Sequence, residues 1–172
     1  MTIDIDTSRV HNERDTLLGF LDYYRNELIA KSDGLSDEQA RATSVPPSDL
    51  TIMGLIRHMA EVERGWFRRT LAAEQVAPIW IRESHPTGDP DGDFHMTSTD
   101  TLSVALDHLR SEISIADVNI AKFKLGDLAS QKSRHGGIPN LRWIVVHMIE
   151  EYARHCGHAD LIRECIDGAK SE

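Results

Sequence analysis

Four side chains able to bind a metal ion or carry a proton fall on one short stretch, residues 147–164, HMIEEYARHCGHADLIRE: His147, Glu151, His155 and His158. If the stretch is helical, at about 100° per residue, Glu151 lies about 40° from His147, His155 about 80° and His158 about 20°. Ile144 and Ile162 flank that arc, so it faces inward. Charged and imidazole groups rarely line an inward face unless they are paired or bound. Glu151 and His155, four residues apart, sit one turn apart and can meet on one ion, the geometry that serves zinc proteins. A further donor comes from an earlier helical pattern, where His58 sits among Leu55, Ile56, Met59 and Val62. Inward His and Glu on facing helices are how bundles build metal sites.

Each residue also has a plainer reading. His58 on an apolar face suits a hydrogen-bonded core histidine. Glu151 suits a boundary carboxylate bonded to Arg57, Arg154 or Tyr152, and His147 suits packing at one end of a bundle. His11, His85, His95, His108 and His135 have no such company and read as solvent or loop residues. Cys156 points about 100° away from His155 and reads as core, and Cys165 lies near a helix end. The DPDGD string at 89–93 invites a calcium reading. However, Gly at position 6 and Glu at position 12 of the calcium loop fit in neither register, so a solvated turn is expected. No phosphate-binding Gly-rich loop and no G-x-S-x-G elbow occur.

The elements that must position these groups read as helices. Apolar residues recur at three- and four-residue spacing over 10–32, 51–74, 97–123 and 139–166. Ser36 with Gln39 predicts a short capped turn after Gly34, and Pro139 suits the first turn of the last helix. Residues 78–97 and the stretch closed by Gly136 and Gly137 are two long loops, and the first is placed to cover a substrate. No strand pattern appears. The expected fold is all-α, a four-helix bundle in a single domain over 1–172.

Composition narrows the function. With 28 Asp+Glu against 19 Lys+Arg, the net charge of −9 opposes nucleic acid and anionic membrane surfaces as partners. Two Cys cannot make a disulfide framework. No 18-residue apolar window and no signal-peptide pattern occur, so a cytoplasmic protein is expected.

The stretch LTIMGLIRHMAEVERGWF, with its L-x-x-H and an aromatic about eight residues on, and the last-helix H-x-x-x-H-x-G-Q-like pattern resemble the DinB-like superfamily. Within it, the chain is similar to the small actinobacterial branch that includes thiol S-transferases. Glu151 stands where many members carry the first His, and His158 where they carry Gln. The mycothiol-dependent maleylpyruvate isomerase is similar in this helix, with Glu for His, and binds zinc through two His and one Glu. It carries a further C-terminal domain, so a stand-alone transferase is the expectation here. The resemblance implies a divalent metal, zinc, on His58, Glu151 and His155. It leaves His147 and His158 as catalytic or supporting groups beside the metal. It implies mycothiol as a thiol that attacks an electrophile, and a homodimer. A metal-dependent hydrolase and a non-catalytic, stress-related binding bundle stand as alternatives.

Overall fold

The computed structural model describes residues 12–80, 91–133 and 136–170. Its helices begin where a short polar side chain can take up a free backbone N–H. Asn12 caps α1 (Glu13–Ala30), Ser36 and Gln39 close a capping box on α2 (Asp37–Arg41), and Thr51 caps α3 (Ile52–Glu63). Thr101 caps α4 (Leu102–Ile120), and Asn140 caps α5 (Leu141–Asp167), which stops at Gly168 with φ 78°. Among the described residues there is no strand, only an isolated bridge between Leu128 and Asn140. The fold is all-α, as expected.

Three boundaries differ from the sequence reading. The helix expected from residue 97 starts at Leu102. Asp100 Oδ2 instead accepts hydrogen bonds from Thr97 N (2.6 Å) and Thr97 Oγ1 (3.0 Å), closing a turn that delays the helix. Pro139 lies before α5 rather than in its first turn, because Asn140 takes the cap. The helix expected to run regularly to residue 74 changes winding after Glu63 and continues as a π-helix (Arg64–Leu71). At its end the Thr70 and Leu71 carbonyls accept from Gln131 N and Ser130 N, and Arg68 O accepts from Glu74 N. Those bonds take up the last carbonyls of the segment.

Helix α1 packs on α5, and α3 packs on α4 and α5. Leu21, Leu28, Met53, Leu55, Ile56, Met59, Leu109, Leu141 and Met148 are fully or almost fully enclosed between them. Each such side chain contributes about 1.5–3 kcal/mol of burial. A polar network crosses this core. The Arg25 guanidinium donates to Glu63 Oε1 and Oε2 at 2.8 and 2.9 Å, and Tyr152 Oη donates to the same Oε1 at 2.9 Å. It ties α1, α3 and α5 together immediately beside Glu151. No described helix is long and apolar enough to cross a membrane.

Candidate metal centre

His58 comes from the middle of α3, and Glu151 and His155 from successive turns of α5. One ligand atom from each lies within 4.8 Å of the other two. The His58 and His155 rings stand edge-on at 4.9 Å, and His155 Nε2 lies 3.5 Å from Glu151 Oε2. His155 is 8% exposed. Burial, reinforced by His58, His158 and Arg154, pushes its imidazole down to about 4. At neutral pH it is an uncharged nitrogen donor.

The outer nitrogens of the two imidazoles are both occupied. His58 Nδ1–H donates to Asp93 Oδ2 at 2.6 Å, which leaves Nε2 with its lone pair toward the cluster. His155 Nδ1 lies 3.3 Å from His158 Nδ1, one turn on. The two Nδ1 atoms can share one hydrogen bond, its direction set by the tautomers of the two rings. Fixing the far nitrogen in this way is what orients a ligating histidine. Two groups lie near the Glu151 carboxylate without hydrogen-bonding to it: His147 Nε2 is 3.4 Å from Oε1, and Arg154 Nη1 is 3.9 Å from Oε2. His147 itself stacks on Trp143 at 5.1 Å and meets Trp66 edge-on at 4.9 Å. Its Nε2 is buried and makes no hydrogen bond among the described residues.

The family model described as mycothiol-S-transferase matches residues 16–168. The chain belongs to the mycothiol-S-transferase family. No curated protein matches it. Among solved structures it is similar to a conserved protein from Enterococcus faecalis, with a TM-score of 0.66 and 14% identity over 92% of this chain and 99% of that one. That likeness speaks for the fold alone.

The donor set in this family member suits a divalent ion on chemical grounds. Two imidazole nitrogens and a carboxylate oxygen converge, while Asp93 and His158 engage the far nitrogens of the two rings. Three N and O donors leave a coordination position open, as catalytic zinc sites do. The other sequence candidates fall elsewhere. Cys156 is core, its Sγ donating to Tyr24 O at 3.6 Å, and burial pushes its thiol up to about 12. Cys165 is exposed. Tyr152 turns to Glu63, and Arg57 is engaged with the loop after the π-helix, so neither pairs with Glu151. His95 is exposed, whereas His108 sits on α4, half-buried, edge-on to Trp80 at 4.9 Å. His108 is thus a packing residue and not a loop residue. His11, His85 and His135 lie outside the described residues.

Asp93 is the residue that the sequence reading missed. It belongs to the acidic string read as a solvated turn, yet it is 7% exposed. Arg57 explains its placement. Arg57 Nη2 donates to Gly92 O at 2.9 Å and Nη1 pairs with Asp100 Oδ2 at 3.2 Å, so one guanidinium anchors both sides of the loop. Phe94 then stacks on His58 at 5.0 Å. Gly54 permits that approach, since a Cβ there would lie 3.1 Å from Phe94 Cδ1. The described part of the expected covering loop therefore braces the centre directly.

Proposed function

We propose that the chain is a metal-dependent thiol S-transferase that joins mycothiol to an electrophilic small molecule. His58, Glu151 and His155 hold a divalent ion, zinc by the character of its donors. The observation that carries this reading is the convergence of those three ligand atoms within 4.8 Å in a member of the mycothiol-S-transferase family. A divalent ion held there by His58, Glu151 and His155 would supply a net positive charge that favours the thiolate form of a thiol beside it.

The protein's own groups prepare that event. Asp93 holds the tautomer and tilt of His58. His158 does the same for His155, which makes it a positioning residue before it is a proton carrier. His147, with Nε2 uncommitted and against Glu151, is the group we assign to accept the thiol proton. Trp66, which is buried, covers one side of its ring, and the exposed Trp143 stacks on the other. A cytoplasmic setting, where thiols stay reduced, and a homodimer belong to the same proposal.

The test compares conjugation rates with mycothiol, with glutathione and with no thiol, in zinc-loaded and chelator-stripped protein. At neutral pH a thiol of pKa about 8.5 is only a few per cent ionised, so full ionisation offers roughly a 30-fold gain before any positioning. The advantage of the loaded protein should shrink as pH rises through the thiol's own pKa. Equal rates in loaded and stripped protein would remove the proposal. Turnover that needs the metal and no thiol would replace it with a hydrolase.

A further inference from the structure

A cleft of about 340 Å³ opens from His58 and Asp93 along the π-helix, lined by Glu61, Gly65, Trp66, Arg69 and Thr70. The volume lies at the small end of the usual range for small-molecule sites, about 300–1,000 Å³. The change in winding builds its wall. On a continuous α-helix, residues 61 and 69 would lie about 80° apart. The wider π turn, bonded i to i+5, advances less per residue and returns Arg69 beneath Glu61. Arg69 Nη2 accordingly donates to Glu61 Oε1 at 2.6 Å. Glu61 is pinned from its other side, where Oε2 accepts from Ile79 N at 2.7 Å. Gly65 lies beside this pair, where a Cβ would come to 3.4 Å from Arg69 Nη2, ordinary van der Waals contact.

This arrangement holds a guanidinium still without using it up. Arg69 Nε and Nη1, Thr70 Oγ1 and the Trp66 indole N–H make no hydrogen bond among the described residues. The cleft thus offers several positioned donors. It also offers two carboxylates, Glu61 and Asp93, which outnumber its one guanidinium. An anionic ligand would satisfy the donors but face both carboxylates. An uncharged polyol satisfies both, since each hydroxyl accepts from an N–H and donates to a carboxylate. Resting on the transferase reading, we infer that this cleft holds the uncharged, polyhydroxylated body of the thiol, its sugar and cyclitol rings, while the sulfur reaches the His58–Glu151–His155 centre. Arg69 and Thr70 are then the residues that distinguish a sugar-bearing thiol from a bare one.

The test uses the zinc-loaded full chain and one electrophile with mycothiol, N-acetylcysteine amide and glutathione. N-acetylcysteine amide keeps the uncharged thiol arm without the rings, and glutathione carries carboxylates in their place. Arg69→Met should lower the kcat/KM ratio of mycothiol to N-acetylcysteine amide about ten-fold, the value of one lost hydrogen bond to a charged group. Thr70→Val, nearly isosteric, should lower it less and in the same direction. A ratio unchanged in both variants, or a penalty on glutathione alone, overturns the inference. A second measurement needs neither turnover nor metal: calorimetric titration of the thiol-free, uncharged N-acetylglucosaminyl-inositol into chelator-stripped protein. Binding that weakens about ten-fold in Arg69→Met supports the cleft assignment even if no thiol is turned over, an outcome that would sink only the transferase reading. No binding to the unmodified protein overturns the cleft assignment.

Discussion

Asp93→Asn and Asp93→Ala probe the bond that gives His58 its orientation. The contact is short, 2.6 Å, and the Asp93 side chain is 9% exposed, so water competes with it poorly. Loss of such an outer partner typically costs 10–100-fold in metal affinity, or about 1.4–2.7 kcal/mol. Asn keeps an acceptor oxygen and the shape but loses the charge, so it should sit near the ten-fold end. Ala loses both and should approach the hundred-fold end. The His58 side chain is 25% exposed, so water can reach the vacated Nδ1–H and thermal stability should change little. Competition against a chromophoric zinc chelator gives the affinities, and circular dichroism of the metal-free variants checks the fold. Affinities in both variants equal to that of the unmodified chain would refute the claim that Asp93 prepares His58 as a ligand.

Other outcomes follow from the same geometry. The His155 imidazole is pushed down from 6.5 to about 4, so the unfolded chain binds a proton before the folded one does. The metal-free protein should therefore lose stability as pH falls from about 6.5 toward 4, and thermal melts in His155→Gln should show a weaker dependence over that window. Glu63→Ala strands the buried Arg25 guanidinium, leaving it only the exposed carboxylates of Asp22 and Asp117. It should cost about 3–5 kcal/mol in urea unfolding. Gly54→Ala pushes a methyl against the capping Thr51 Oγ1 at 3.0 Å and Phe94 at 3.1 Å, so it should weaken zinc binding in the same chelator competition and lower the melting temperature as well.

The convergence of His58, Glu151 and His155 was legible in the sequence for a specific reason. Glu151 and His155 share one helix, where spacing alone sets their common face, and His58 sits at the centre of an apolar stripe that has to point inward. Asp93 was not legible, because its partner lies 35 residues away and its placement depends on the Arg57 anchor. Nothing in the DPDGD string separates a solvated turn from a buried brace. The start of α4 was ambiguous because Thr97, Ser98, Thr99, Asp100 and Thr101 are all good caps, and only the closed turn selects the last of them. The π-helix carries no sequence period of its own in so short a run. Arg64 and Arg68 both pair with the buried Glu112 on α4, a long-range neutralisation that periodicity does not reveal.

The central claim is that a thiol meets a metal ion held by His58, Glu151 and His155. Absorption spectroscopy of the cobalt(II)-substituted protein tests it most directly, because sulfur bound to cobalt gives an intense near-ultraviolet charge-transfer band and nitrogen or oxygen donors do not. Adding mycothiol should bring up that band, saturating at one thiol per ion, and His155→Ala should abolish both the band and the bound cobalt. A cobalt-loaded protein whose spectrum is unchanged by saturating mycothiol would contradict the account.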